Sequence, residues 1–138
     1  MKSRIMVFVI FAFLISLIIY FQLQPQTPAL HDDMLIMNTE SMRPTIYQGD
    51  YLKIDTKVRA RDIVCGTKDS NQTGDIIVFM VPSQDLEFIA HRAVQMILDE
   101  DGNYSFKTWG DNNVWPDGWI VEEKDIIGKV IEIIPASN

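Results

Sequence analysis

A chain of 138 residues has room for one domain of ordinary size, and so for one hydrophobic core and one site. Its formal net charge of -7 sets up a field that repels polyanions, so no nucleic acid is expected as a partner. Cys65 is the only cysteine, which excludes an intrachain disulfide framework and a Cys-cluster zinc site.

The first element is the run IMVFVIFAFLISLIIYF, residues 5–21, apolar apart from Ser16 and Tyr20. As a helix rising about 1.5 Å per residue it nearly crosses a hydrocarbon core of about 30 Å, so residues 5–23 are expected to form a transmembrane anchor in the lipid bilayer. A cleaved leader fits less well: its apolar region is about 7–15 residues long and ends at a small-x-small site. Here Gln22, Gln24 and Pro25 follow instead. Lys2 and Arg4 precede the span while Asp32, Asp33 and Glu40 follow it. The positive-inside bias then keeps residues 1–4 in the cytoplasm and places the rest on the extracytoplasmic or lumenal side. Residues 24–33, polar and broken by proline, read as a short stalk, with His31 a solvated linker histidine.

From residue 34 to 138 the apolar residues come in short runs divided by Gly, Pro, Asn and Asp, with no sustained helical spacing, which predicts one mainly β domain. MLIM (34–37) is a brief strand leading towards Ser41, and YLKID (51–55) puts Leu52 and Ile54 on one face. GDIIVFMV (74–81) reads as a fully buried strand closed by Pro82. In FIAHRAVQMIL (88–98) strict alternation sets Ile89, His91, Ala93, Gln95 and Ile97 on one side, and Phe88, Ala90, Arg92, Val94, Met96 and Leu98 on the other. DEDGN (99–103) is a turn, so YSFKTW (104–109) pairs back as an antiparallel hairpin. IIGKVIEII (126–134) supplies a last strand in which Gly128 marks a bulge or a close approach.

Chemistry has few carriers. With two histidines and no H-x-x-x-H spacing, neither a metal nor any other cofactor is expected, and no glycine-rich loop opens a helix to hold phosphates. What remains is Ser41, His91 and two aspartates, Asp111 and Asp117, in the loop GDNNVWPDG. A serine needs a base to become a nucleophile, and the base needs a partner to fix its tautomer; these residue types can fill all three roles. Taken singly, each has a plainer reading: Ser41 as a turn hydroxyl, His91 as a satisfied sheet histidine, the aspartates as turn carboxylates. Cys65, with no basic neighbour, reads as a structural thiol.

A resemblance shifts that balance. SMRPTIYQGD (41–50) resembles the Ser-Met-x-Pro segment, followed by Gly-Asp, that carries the nucleophile in type I signal peptidases. GDIIVF (74–79), HRAVQ (91–95), TWGDNNVWPD (108–117) and IIGKV (126–130) then follow in that family's order, so that with the anchor the likeness covers most of the chain. The His-Arg pair at 91 and 92 resembles the archaeal, endoplasmic-reticulum and spore-former branch, in which histidine replaces the lysine base of most bacterial members. Three positions depart from the pattern: Thr39 and Glu40 stand where many members have Gly or Ser and then Gly or Asp, and Trp109 stands where lysine commonly precedes Gly-Asp-Asn.

The resemblance implies a compact, antiparallel, signal-peptidase-like β domain and a membrane-anchored serine endopeptidase that removes signal peptides from secretory precursors. It implies Ser41 as nucleophile, His91 as general base, and the Ser41 N–H with the Thr39 hydroxyl as oxyanion donors. Both aspartates match the family's positions; Asp117 is favoured as the partner that orients His91 and Asp111 as the residue that holds the loop. The substrate would lie extended beside residues 34–37, with small side chains at the first and third positions before the cut. Met42 is expected against lipid or partly in the core, and further subunits are left open. The competing readings are a soluble self-cleaving repressor-type protease, against which the anchor argues, and a non-catalytic membrane-anchored binding module on the same fold. NQT at Asn71 and NYS at Asn103 match glycosylation acceptors in expected loops.

Overall fold

A computed structural model describes residues 33–67, 73–81 and 88–136. The expected anchor, residues 5–23, nearly all of the stalk, Asn71 and Pro82 lie outside the described residues. Among the described residues no helix is long and apolar enough to cross a membrane.

Among the described residues seven strands make one antiparallel sheet: β1 (Met34–Ile36), β2 (Tyr51–Asp55), β3 (Ile76–Met80), β4 (Phe88–Leu98), β5 (Tyr104–Trp109), β6 (Val121–Glu122) and β7 (Ile126–Ile134). Their spatial order is β1-β2-β7-β3-β4-β5-β6. The mainly β class expected from the short apolar runs is what the described residues adopt, and every strand pairing is antiparallel, as the family resemblance implies. The final strand is the one that joins the two halves, because β7 inserts between β2 and β3 and pairs antiparallel with both.

The hairpin β4–β5 is set by its turn. Asp99 accepts hydrogen bonds at its carboxylate from the backbone N–H of Asp101 and Asn103 and from the Asn103 side-chain amide. Gly102 takes a left-handed φ of 87°, open to glycine at little cost. These donors, the Asn103 amide first, hold the Asp99 carboxyl below its usual range.

Side-chain alternation distributes the core over both faces of the sheet. Ile76 and Val78 join Met37, Met42, Ile46, Leu52, Ile54 and Ala90 in one cluster, whereas Ile77 and Phe79 join Ala60, Ile63, Ala93, Phe106 and Val121 in the other. Strand β3 is therefore covered on both sides, which is why its sequence is continuously apolar rather than alternating. Of the two places open to Met42, lipid or core, the structure gives the core: it is fully buried and its side chain fills the first cluster.

Among the described residues three register shifts interrupt the ladders, one of them in the β2–β7 pair between Lys53 and Ile54. Ala93 pairs with Thr108 and Gln95 with Lys107, which leaves Val94 as the extra residue. The face of β4 then switches, and Met96 packs with Ile89 and Ala93 in the second cluster rather than on the Arg92 side that strict alternation gives. In β7 the register slips between Ile126 and Gly128, and a Cβ on Gly128 would stand 2.8 Å from the Asp55 carbonyl oxygen. Strand β1 ends at Ile36, one residue before the expected limit, and β6 carries no periodic signal because it is two residues long.

Candidate active site

Ser41 lies on a tight turn after β1. Backbone bonds from Arg43 N to Glu40 O, Thr45 N to Met42 O and Ile46 N to Met42 O wind residues 40–46, and Met42 and Ile46, four apart and both fully buried, pin that turn to the core. Beyond it the Asp50 carboxylate accepts the N–H groups of Tyr47 and Ala136, which closes the segment onto β2 and the chain beyond β7. Ser41 is left half-buried at the rim.

His91 sits in the middle of β4, 4% exposed, with the Phe79 ring edge-on to its imidazole at 6.4 Å between centroids. Its Nε2 is 3.0 Å from Ser41 Oγ and its Nδ1 is 2.6 Å from Asp117 Oδ2. With the proton on Nδ1 donated to Asp117, Nε2 keeps a lone pair for the Ser41 hydroxyl proton. Asp117 is held in turn by Thr108, whose Oγ1 donates to Oδ2 at 2.6 Å and whose carbonyl accepts the Asp117 N–H at 3.0 Å. Ser41, His91 and Asp117 thus form one continuous chain of hydrogen bonds, an arrangement able to support acyl transfer through a serine.

The next residue of β4 points the other way, as alternation expects. Arg92 donates through Nε and Nη2 to the two Asp111 oxygens at 2.8 and 2.6 Å, and through Nη1 to the Gly74 carbonyl at 2.7 Å. Thr45 Oγ1 donates to Asp111 Oδ2 at 2.5 Å. This bidentate pair is buried on both sides, and its charge is neutralised internally. Of the two aspartates, Asp117 is the one against the imidazole, while the carboxylate of Asp111 ties β4 and the loop after β5 to the Ser41 turn.

That loop reaches Ser41 through its backbone as well. Asn112 donates its N–H to the Ser41 carbonyl at 2.8 Å and its side-chain amide to the Glu40 carbonyl at 3.1 Å. Gly110 lies so close that a Cβ there would stand 2.7 Å from Ser41 O and 2.8 Å from His91 Nε2. Thr39 places its Oγ1 3.1 Å from Ser41 Oγ. Thr45, Thr108, Gly110 and Asn112 were not among the sequence-derived candidates. Three of them stand inside the TWGDNNVWPD block, where a glycine between Trp109 and a run of Asp and Asn is the available signal.

The other residues singled out in the sequence lie elsewhere. Cys65 is half-buried against the second core cluster, and burial together with the Asp75 carboxylate pushes its thiol up from the ordinary range. Asn103 is exposed at the β4–β5 turn, with its side-chain amide on Asp99. Among the described residues no three His, Cys, Asp or Glu side chains converge as a metal site would need.

The chain is 29% identical over 110 residues to the signal peptidase complex catalytic subunit SEC11C of human (Homo sapiens), mouse (Mus musculus) and dog (Canis lupus familiaris). The match takes in 74% of this chain and 52% of each relative, so the chain spans about half the length of the curated relatives it matches. No family model matches it, and no solved structure matches it at a significant level. The likeness relates the chain, distantly, to signal peptidase catalytic subunits.

Proposed function

We propose that the chain is a serine endopeptidase that removes N-terminal signal peptides from secretory precursors. The observation that carries this reading is the unbroken relay from Ser41 Oγ through His91 Nε2 and Nδ1 to Asp117 Oδ2, at 3.0 and 2.6 Å. It is supported by the distant likeness to signal peptidase catalytic subunits.

In this mechanism Ser41 Oγ attacks the scissile carbonyl carbon as its proton passes to His91 Nε2. The imidazolium is stabilised by Asp117, and the oxyanion is met by the Ser41 N–H and the Thr39 hydroxyl. Collapse of the tetrahedral species breaks the peptide C–N bond, and Nε2 returns the proton to the departing amine. Water then attacks the acyl group on Ser41, losing its proton to the same nitrogen; collapse breaks the C–Oγ bond, Nε2 returns that proton to Oγ, and the carboxylic acid product leaves. Arg92 and Asp111 take no proton; they fix the loop that carries Asp117.

The substrate class follows from placement. Strand β1 is at an edge of the sheet and runs into the Ser41 turn, so an extended peptide laid along it would bring its carbonyl to Oγ. The apolar segment 5–23, as a cytoplasm-to-outside anchor with a stalk of residues 24–33, would hold the domain where a precursor leaves the bilayer. The test is cleavage of a membrane-inserted precursor with an Ala-x-Ala site by the wild-type chain, Ser41→Ala and His91→Ala. Both variants are expected to lose at least about 10⁴-fold in kcat, Ser41→Ala while melting like wild type and His91→Ala while less stable but still folded, since it leaves the buried Asp117 carboxylate without its imidazole partner. Retained cutting by Ser41→Ala would return that residue to its plainer role in the turn.

A further inference from the structure

We infer that Thr108 is a positioning residue for this site: its hydroxyl locks the Asp117 carboxylate into the one orientation in which Oδ2 meets His91 Nδ1. The inference rests on the Ser41–His91–Asp117 reading and adds to it a residue that neither touches substrate nor moves a proton.

Asp117 sits on a loop, whereas Ser41 is pinned by core side chains and His91 belongs to a central strand. A carboxylate on a loop can rotate about its terminal torsion, which is broad and roughly two-fold, and so offer either oxygen or neither to the imidazole. Thr108 removes that freedom from both ends. Its carbonyl takes the Asp117 N–H at 3.0 Å and so closes the loop 109–116, and its Oγ1 donates to Oδ2 at 2.6 Å. The oxygen so engaged is the same one that faces His91 Nδ1 at 2.6 Å, so both donors converge on a single atom.

Thr108 is itself rigid. It is fully buried in β5, paired across the sheet with Ala93, and its branched Cβ restricts χ1. Its one hydroxyl proton is committed to Asp117, which fixes the direction of donation. The bulge at Val94 places this rung of the ladder: Ala93 pairs with Thr108 and Arg92 with Trp109, just before the register shifts. The hydroxyl thereby stands on a strand and transmits that strand's order to a loop carboxylate.

The experiment compares Thr108→Val, which keeps the shape and removes the donor, with Thr108→Ser, which keeps the donor and removes a methyl group. Cleavage of an Ala-x-Ala precursor is measured in the full chain, alone and in an Asp117→Asn background. Thr108→Val is expected to lower kcat roughly tenfold or more with KM little changed, the scale of one lost hydrogen bond to a charged group. Thr108→Ser is expected to restore most of that loss. In the Asp117→Asn background Thr108→Val is expected to cost nothing further, because its only route to the chemistry is through that carboxylate. The imidazole Nδ1 proton, followed by NMR without substrate, should move in Thr108→Val and stay in place in Thr108→Ser.

Wild-type kcat in a folded Thr108→Val chain, equal losses in the Val and Ser variants, or additive losses with Asp117→Asn would each overturn the inference. If Thr108→Val does not fold, Thr108→Cys takes its place, since a thiol keeps the volume and donates only weakly. The two levels fail separately. Cleavage surviving His91→Ala would bring down the relay itself, whereas loss in His91→Ala with an inert Thr108→Val would bring down the positioning role alone.

Discussion

Two buried pairs leave β4 from adjacent residues and on opposite faces: His91 with Asp117, and Arg92 with Asp111. Their carboxylates come from the same loop, and each takes a threonine hydroxyl, Thr108 for Asp117 and Thr45 for Asp111. The difference lies in how each pair ends. The guanidinium side is closed, with its carboxylate held by Arg92 and Thr45 and its third arm on the Gly74 carbonyl. The imidazole side stays open at Nε2, which faces a half-buried hydroxyl at the rim. A closed buried ion pair acts on structure, while an open one whose base can change protonation state is equipped to move a proton.

Substitution of the two aspartates gives the sharpest separation. Asp117→Asn keeps the shape but favours the wrong imidazole tautomer, and a kcat loss of about 10⁴ is expected with the melting temperature nearly unchanged. Asp111→Ala is expected to do the reverse. It strands the Arg92 charge in a site where that residue is 3% exposed, and the loss of stability is expected at about 3–5 kcal/mol, read by denaturant unfolding. Cleavage by Asp111→Ala at temperatures well below its own midpoint should then remain measurable. If Asp111→Ala proves stable but inactive, and Asp117→Asn unstable but active, the assignment of the two pairs is inverted.

A smaller effect tests the open end. Thr39 is exposed and reaches Ser41 Oγ at 3.1 Å, with no part in either buried pair. Thr39→Val is expected to reduce kcat about 10²-fold, the scale of one oxyanion donor, with unfolding unaffected. An unchanged kcat would leave the Ser41 N–H as the donor and remove Thr39 from the site.

Much of the scaffold was legible in the sequence because alternation and turn chemistry are local. YLKID, FIAHRAVQMIL, YSFKTW and IIGKVIEII became strands at the boundaries read from them, and DEDGN became the turn. The facing of His91 and Arg92 was legible for the same reason. The assembly of the site was not, since Ser41 lies 50 residues from His91 and Asp117 another 26 beyond it, distances over which period and propensity carry no information. Elimination among residue types left those candidates, and a family resemblance gave them their roles. Which aspartate faces the imidazole depends on the path of a loop, and that path depends on the Thr108 clamp and on a close approach that only Gly110 permits. The Met96 facing was missed because a bulge shifts register through tertiary pairing, which a single strand's sequence does not display.

The smallest effect reports on the closed pair from a distance. Cys65 belongs to a segment tied to the same region: Gly66 N–H bonds to the Ala93 carbonyl, Ala93 N–H to the Asp75 carbonyl, and Asp75 N–H to the Val64 carbonyl. Gly74, the residue before Asp75, carries the carbonyl that Arg92 holds. Burial, and then Asp75, push the Cys65 thiol up, so its thiolate is scarce at neutral pH and alkylation should be slower than that of an unfolded thiol. The sign for stability follows. A thiol whose folded value lies above its unfolded one adds stability that is fully present below the unfolded value and is lost as pH rises through the folded one, so the effect is confined to alkaline solution. Asp111→Ala, by loosening the hold of Arg92 on Gly74, should admit solvent to this segment and bring alkylation of Cys65 forward to lower pH. Asp117→Asn should leave the labelling profile where it is. Equal acceleration in both variants would mean that the two faces of β4 share one unit of local opening, and the contrast between the pairs would then describe their chemistry but not their mechanics.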